Sequence, residues 1–265
     1  MMLFDSHAHY DDDKFCDNRD EIIKGLCQKT DTNPLGVCGV LNSASDLATS
    51  RKALDLANRY PFFYASAGIH PHEASSASSS MEDELEAFLA NEKVRAIGEI
   101  GLDYHYDFSP RDIQKEIFRR QLELACELDV PVIVHDREAH GDCMDMIRRF
   151  HVKGVFHSFS GSAEMVRELV RLGWYISFSG SVTFKNAVNL ISAAAAVPDE
   201  RLLVETDAPY LAPVPYRGKI NNSSYMYETA KKLAEIRNTS VEHIAEITTR
   251  NACEFFKISE RFENK

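Results

Sequence analysis

Short apolar runs alternate with longer stretches of helical periodicity along the chain, and this alternation constrains the fold more than any other feature. The predicted strands cover residues 2–5, 36–41, 62–69, 94–100, 131–134, 154–156, 174–178 and 202–204. The predicted helices cover residues 19–29, 44–58, 81–91, 110–128, 138–150, 163–172, 186–196, 225–236 and 241–256. Strands that alternate with helices of this length are typical of βαβ units and a parallel sheet. The pattern therefore predicts an α/β protein, a single (β/α)8 TIM barrel with an extra C-terminal helix.

An open, doubly wound sheet is the competing architecture. Such a sheet usually has fewer strands, and no glycine-rich dinucleotide motif follows the first strand of this chain. Val132, Ile133 and Val134 form a continuous apolar run, as expected when both faces of a strand are covered. No shift in composition marks a boundary, so we expect one domain over residues 1–265.

The composition excludes several classes of protein. Hydrophobic residues make up 44% and charged residues 27% of the chain, which is ordinary for a globular protein and excludes a disordered one. The net charge of −11 argues against a protein that coats nucleic acid by bulk charge, although bound divalent metals can reverse the local charge of a site. We find no membrane segment and no signal peptide, so a cytoplasmic location is expected, with the six cysteines reduced.

Residues that can bind metal occur where the predicted strands end. They are His7 and His9 after the first strand, His70 and His72 after the third, Glu99 at the end of the fourth, His135 after the fifth, His157 after the sixth, and Glu205 and Asp207 after the eighth. The C-terminal ends of barrel strands open on one face, where active sites lie. Imidazole and carboxylate ligands suit Zn, Mn, Fe or Mg, so the sequence predicts a metal centre on this face.

Other residues on the same face have predicted roles beyond metal binding. Only one of Glu205 and Asp207 needs to bind metal, and the other could orient a ligand. His70 has no obvious partner in the sequence and is predicted to contact the substrate. Basic residues also follow these strands, and phosphate contact or simple solvation is open for each of Arg137, Lys185, Arg217 and Lys219.

The chain resembles the TatD family of metal-dependent hydrolases, a branch of the amidohydrolase-like barrels. The resemblance runs nearly from end to end, and the order and spacing of its segments make it specific. It is carried by FDSHAHYD (4–11), AGIHPH (67–72), GEIGLDYHYDFSP (98–110), VIVHDREAH (132–140), FHSFSGS (156–162), VTFKNA (182–187) and ETDAPYLAPVPYRGK (205–219).

The resemblance implies two divalent metal ions per subunit, with Mg²⁺ expected for activity and Zn²⁺ or Mn²⁺ as alternatives. Matched residue by residue, one ion would be held by His7, His9 and Asp207, the other by His135 and His157, and Glu99 would bridge both. Glu205 would support these ligands without binding metal. The implied catalytic residues are thus Asp207, Glu99, Glu205 and His70, and the substrate contacts are His70, Arg137, Lys185 and Arg217.

The family is similar to 3′–5′ exonucleases that act on single-stranded DNA, and some members act on RNA or other phosphoesters. For this chain we therefore expect phosphodiester hydrolysis at single-stranded DNA or RNA ends, by a hydroxide that bridges the two metals. Asp207 would accept the proton of that water. We expect no membrane partner and a monomer.

Two alternatives remain open from the sequence. A binuclear site also hydrolyses carboxylic esters, lactones and amides, and the basic residues at the mouth would discriminate between these and a phosphodiester. The other alternative is a barrel that binds a partner without catalysis, against which the complete set of ligands argues.

One segment departs from the family pattern. After Gly218 and Lys219 the pattern commonly continues with Asn-Glu-Pro, whereas this chain has Asn221, Asn222 and Ser223. The loop therefore loses a carboxylate and a proline, while the predicted metal ligands are unaffected.

Overall fold

Eight parallel strands surround the centre of the molecule in a computed structural model, which describes residues 2–259. They are β1 (Leu3–Ala8), β2 (Val37–Asn42), β3 (Phe63–Ala67), β4 (Val94–Asp103), β5 (Val132–Arg137), β6 (Gly154–Phe156), β7 (Tyr175–Phe178) and β8 (Leu202–Val204). Neighbouring strands follow chain order from β1 to β8. The segment after β8 returns to β1, where Ala8 pairs with Ala208 and the Asp207 N–H donates to the His7 carbonyl oxygen at 2.9 Å. This pairing closes the barrel and confirms the predicted fold.

A helix follows each strand, and a ninth helix ends the described chain. The helices are α1 (Arg19–Gly25), α2 (Leu47–Arg59), α3 (Met81–Leu89), α4 (Arg111–Leu128), α5 (His140–Ile147), α6 (Ala163–Arg171), α7 (Val188–Ala196), α8 (Met226–Arg237) and α9 (Val241–Phe255). The first residues of α2 form a capping box, in which the Asp46 side chain accepts from the Thr49 N–H and the Thr49 hydroxyl accepts from the Asp46 N–H. The predicted extra helix is confirmed as α9. The prediction of one domain over 1–265 also includes residues 1 and 260–265, which lie outside the described residues.

The barrel interior is filled by side chains from all eight strands. They are Phe4, Cys38, Leu41, Tyr64, Ala96, Ile133, Val155, Tyr175 and Leu203. The C-terminal helix adds to this cluster, because the Phe255 ring lies 5.0 Å from Tyr175 and the Phe256 ring lies 6.1 Å from Phe4. Burial of such a ring contributes roughly 1.5–3 kcal/mol. Helix α9 and the residues after it therefore close the N-terminal end of the barrel and leave the other end open.

Three strands are longer than predicted, and the difference lies at the open end. The observed strands β1, β4 and β5 continue to Ala8, Asp103 and Arg137, beyond the predicted ends at residues 5, 100 and 134. His7, Glu99 and His135 therefore lie within strands, whereas the sequence placed them at or after the strand ends. Backbone pairing resumes after irregularities around His7 and Glu99 and continues through His135. These polar residues interrupt the apolar pattern used for prediction.

Two helices are shorter than predicted by four residues or more. Helix α1 ends at Gly25 instead of residue 29, and α5 covers His140–Ile147 within the predicted 138–150. Glycine is a poor helix former, which accounts for the earlier end of α1. Within residues 2–259 no helix is both long and apolar enough to cross a bilayer. All six cysteines lie in this range and none forms a disulfide; Cys38, Cys143 and Cys253 are buried, and the other three are exposed.

Candidate metal centre

Side chains from distant parts of the sequence converge at the open end of the barrel. Strand β1 supplies His7 and the residue after it supplies His9, while Glu99 and His135 come from β4 and β5. The remaining two predicted ligands, His157 and Asp207, follow β6 and β8. The structure thus brings together all six residues that the sequence proposed as metal ligands.

The first group of donor atoms surrounds one oxygen of Glu99. The Nε2 atoms of His7 and His9 lie 3.1 Å apart, and Glu99 Oε2 lies 3.2 Å and 3.6 Å from them. Asp207 Oδ1 is 3.4 Å from His9 Nε2 and 3.9 Å from His7 Nε2. His9 Nδ1 lies 2.9 Å from the Ser43 carbonyl oxygen, which can only accept, so this pairing assigns the proton to Nδ1. In the neutral ring, Nε2 of His9 therefore presents a lone pair to the group.

The second group surrounds the other oxygen of Glu99. Glu99 Oε1 lies 2.8 Å from His135 Nδ1 and 2.7 Å from His157 Nε2, and these two nitrogens are 3.3 Å apart. The outer nitrogen of His135 faces Asp103 Oδ2 at 3.1 Å, and that of His157 faces Glu205 Oε1 at 3.3 Å. Both carboxylates accept these protons, which leaves the inner nitrogens with lone pairs.

This arrangement fits a bound cation in each group. Lone-pair nitrogens about 3 Å apart repel each other unless a proton or a metal ion lies between them, and the inner nitrogens of His135 and His157 form such a pair. The donors are neutral imidazole and carboxylate oxygen, a set that binds divalent transition metals. Three ligand atoms, one each from His7, His9 and Asp207, lie within 4.8 Å of one another, which is close enough for them to hold one ion. The residues present therefore could hold metal.

The pKa shifts in the cluster also indicate that it favours bound positive charge. Burial acts to raise the pKa of Glu99, but the surrounding His157, His70 and His7 hold it well below its usual range. Burial acts to lower the pKa of His9, and the carboxylates of Asp207 and Glu99 outweigh it and raise the pKa to about 9. Protons and metal ions therefore compete for the same lone pairs.

His70 behaves differently from the six candidate ligands. The His72 N–H donates to His70 Nδ1 at 3.1 Å, so the ring carries its proton on Nε2, which points to Glu99 Oε1 at 3.4 Å. Burial lowers the pKa of His70 to about 4, so the ring is neutral at neutral pH. His70 is therefore a hydrogen-bond donor beside the metal centre, consistent with its predicted contact with the substrate.

Asp103 is a site residue that the sequence interpretation missed. Its Oδ2 contacts His135, as above, and also His72 Nε2 at 2.8 Å, while its Oδ1 accepts from the N–H groups of His105 and Tyr106. The available signal was its spacing of four residues from Glu99, because residues an even number apart on a strand share a face. His72, whose role the sequence left open, is placed at the site by this contact.

Asp5 and Ser223 form a second arrangement that the sequence did not reveal. Asp5 is buried and accepts from the Thr206 N–H at 2.9 Å, the Thr206 hydroxyl at 2.6 Å and the Ser223 hydroxyl at 2.6 Å. Burial raises the pKa of Asp5 to about 7, although these hydrogen bonds act in the opposite direction. Ser223 stands where the family pattern has proline, and its side chain ties the loop after β8 to β1. Asn221 adds bonds to the carbonyl oxygens of Thr206 and Tyr210.

The metal centre lies in a cavity of about 1020 Å³ at the open end of the barrel. Of the four basic residues singled out from the sequence, Arg137 and Arg217 line this cavity. The other two, Lys185 and Lys219, are exposed and are not among the described residues that line it. Phosphate contact by Lys185 therefore stays a prediction that this arrangement does not support.

The family model described as "TatD related DNase" matches residues 4–257. The chain belongs to the TatD family. A TatD homologue from Escherichia coli K12, YJJV, has a crystal structure that superposes on this chain with a TM-score of 0.88 at 29% identity, covering 96% of this chain and 98% of that one.

Two curated TatD-family relatives match over almost their whole length. The "uncharacterized metal-dependent hydrolase YabD" of Bacillus subtilis is 40% identical over 97% of this chain and 100% of its own. A Salmonella typhimurium protein named "3'-5' ssDNA/RNA exonuclease TatD" is 31% identical over 97% of this chain and 99% of its own. These findings confirm the predicted resemblance and assign the chain to a family of metal-dependent hydrolases.

Proposed function

We propose that this chain is a 3′–5′ exonuclease that hydrolyses phosphodiester bonds at the ends of single-stranded DNA. Single-stranded RNA ends belong to the same proposed substrate class. Two divalent ions per subunit, with Mg²⁺ as the working metal, complete the proposal. The observation that carries it is the pair of donor groups on the two oxygens of Glu99, at the base of a cavity lined by Arg137 and Arg217. The name of the Salmonella relative supports the same substrate.

Each candidate ligand has a defined place in this proposal. One ion would be held by His7, His9 and Asp207, the other by His135 and His157, with Glu99 shared between them. When bound, two such ions lower the pKa of a water and neutralise the charge that develops on phosphate oxygens. A cytoplasmic location and a monomeric state stay predictions from the sequence.

The protein side chains supply orientation and proton transfer. In this proposal Asp207 accepts the proton; its side chain is 16% exposed, and one of its oxygens faces His9. Its backbone has a φ of 57°, a region that L residues rarely adopt, and the bond from its N–H to the His7 carbonyl oxygen holds it there. His70 can donate from Nε2 to a phosphate oxygen, and Glu205 orients His157.

The first prediction concerns Asp207. We expect Asp207→Asn to fold normally and to lower kcat by about 100-fold or more, because the amide cannot accept the proton. The assay follows a single-stranded oligonucleotide labelled at its 5′ end, with enzyme stripped of metal and then supplied with Mg²⁺, Mn²⁺ or Zn²⁺. Wild type should produce a metal-dependent ladder that shortens from the 3′ end. Asp112→Asn, an exposed carboxylate on α4, is the matched control.

Two outcomes would contradict this mechanism or this function. A folded Asp207→Asn enzyme with wild-type turnover would remove Asp207 from proton transfer. A wild-type enzyme that is loaded with metal but cleaves no oligonucleotide would contradict the nuclease proposal. Hydrolysis of carboxylic esters, lactones or amides by the same metal-loaded sample would then become the better assignment.

A further inference from the structure

Two exposed aromatic rings stand beside the cavity, in the loop between β4 and α4. Tyr106 is 47% exposed and Phe108 is 67% exposed, yet their rings stack on each other with centroids 5.2 Å apart and planes 22° apart. The guanidinium carbon of Arg137 lies over the Tyr106 ring, 4.7 Å from its centroid. We refer to Arg137, Tyr106 and Phe108 together as the stacking column.

The column is held in place by the backbone of its loop. The N–H of Tyr106 donates to Asp103 Oδ1 at 2.9 Å, and Gln114 Nε2 donates to the carbonyl oxygens of Asp103 and Ser109. His72 packs edge-on against Phe108, with ring centroids 4.8 Å apart. The rings are thus exposed on an ordered loop, and Asp103 connects this loop to His135 at the metal centre.

Charge distinguishes this side of the cavity from the side formed by the loops after β1 and β3. The loops after β1 and β3 line the cavity with Asp11, Asp12, Asp13 and Glu73. Tyr106 lines it from the loop after β4 and Arg137 lines it from the end of β5, beside Asp103 and Asp136. Tyr106 offers a flat apolar surface and Arg137 a positive charge. A polyanion whose end lies at the metal centre is repelled by the acidic first side, whereas Arg137 offers its phosphates a positive charge on the second.

We propose that the stacking column binds unpaired bases next to the scissile phosphate, with Arg137 contacting the adjacent phosphate or the face of a base. This inference rests on the proposed nuclease function and specifies its substrate as a strand whose bases are free to stack. Aromatic side chains stack with any base because every base has a π-face, and arginine adds a cation–π contribution. Bases inside a duplex are already stacked on both faces, so the column selects single strands.

The test compares two substrates and a set of column variants. One substrate is an ordinary single-stranded oligonucleotide, and the other carries tetrahydrofuran abasic residues in place of its three 3′-terminal nucleotides. We expect Tyr106→Ala and Phe108→Ala each to raise KM for the ordinary strand by about 5- to 150-fold, with kcat little changed. Phe108→Tyr should retain wild-type KM because it keeps the ring. Leu172→Ala, which removes an exposed apolar side chain at the end of α6, is the matched control.

The abasic substrate separates stacking from a general structural effect. Wild type should bind the abasic strand as weakly as the alanine variants do. Neither alanine substitution should therefore raise KM on this substrate. Wild-type KM values for both alanine variants, or equal increases of KM on the two substrates, would overturn the inference and leave the nuclease proposal in place.

A binding measurement tests the stacking column independently of the nuclease proposal. Fluorescence anisotropy of the labelled strands, with the protein in EDTA and in Mg²⁺, requires no cleavage. Tighter binding of the base-containing strand that is lost in Phe108→Ala would support the column even if wild type cleaved nothing. Equal binding of the two strands by wild type would overturn it.

Discussion

At the scale of single residues, the candidate ligands are oriented by partners that lie outside the two donor groups. His135 is oriented by Asp103, His157 by Glu205, and His9 by the carbonyl oxygen of Ser43. Each partner occupies the outer nitrogen of a ring and so directs the inner lone pair toward Glu99. Such partners fix the tautomer and increase the basicity of a ligand, so their removal weakens metal binding.

Asp103 allows a direct test of this orientation. Its two oxygens accept from four N–H groups. In asparagine an NH2 group replaces one of these oxygens, and it would face N–H donors from which it cannot accept. We therefore expect Asp103→Asn to weaken divalent-metal affinity by about 10- to 100-fold, measured by titration calorimetry on chelator-treated protein. Asp31→Asn, which changes an exposed carboxylate, serves as the control. Unchanged affinity in Asp103→Asn would show that His135 needs no such partner.

The residue scale also shows what sequence could and could not predict about the site. His7, His9 and Asp207 were found because they are metal-binding types at strand ends and match a family pattern. Asp103 was missed because a single carboxylate in a polar stretch gives no sign of which ring it will contact. The bond from Ser223 to Asp5 was missed because it joins residues 218 positions apart, and only the closed barrel brings them together.

At the scale of elements, close backbone contact positions β4 beside β3 at the open end. A Cβ atom added to Gly68, just after β3, would lie 2.8 Å from the carbonyl carbon of Gly98 in β4. Main-chain atoms cannot move away as a flexible side chain can. Only glycine at this position lets the two strands approach closely enough to place His70 beside Glu99.

Gly68→Ala should therefore disturb both the fold and the site. We expect a loss of roughly 1–3 kcal/mol in the free energy of unfolding, measured by urea denaturation, together with weaker metal binding. Gly25→Ala in α1 is the control, because an added Cβ meets nothing within 4 Å there and alanine favours a helix. Equal stabilities for these two variants would mean that β3 and β4 can separate without cost.

The elements themselves were predicted well, and their ends were not. Buried strands such as Val132–Arg137 begin with apolar residues that mark them clearly, but they end in His135, Asp136 and Arg137. These polar residues read as a loop in the sequence, although their backbone continues the pairing with β4. The predicted strands therefore ended where the functional residues begin.

At the scale of the whole molecule, the two ends of the barrel differ. Phe255, Phe256 and Ile258 close one end with apolar contacts, while the candidate ligands at the other end come from β1, β4 and β5 and from the segments after β6 and β8. Bound ions would connect strands around the ring. Metal binding should consequently stabilise the entire barrel.

We expect chelator-treated protein to melt at a lower temperature than metal-loaded protein. A free metal concentration 100 times the Kd contributes about 2.7 kcal/mol, which corresponds to roughly 5–10 °C for a chain of this size. Differential scanning calorimetry with Mg²⁺, Mn²⁺ or Zn²⁺ measures this rise. His157→Asn should reduce it, and His151→Asn, at an exposed position, should not. An equal rise in both variants would place the stabilising metal elsewhere.

The return of the segment after β8 to β1 has a consequence for biosynthesis. His7 and His9 are translated well before their partner Asp207, which follows 200 residues after His7. At 5–20 residues per second, this interval lasts about 10–40 s on the ribosome. Throughout it, the two histidines lack the carboxylate that completes their group. Full coordination of an ion by His7, His9 and Asp207, as proposed, would therefore become available only after the last strand has been made, and metal acquisition would then mark a finished barrel.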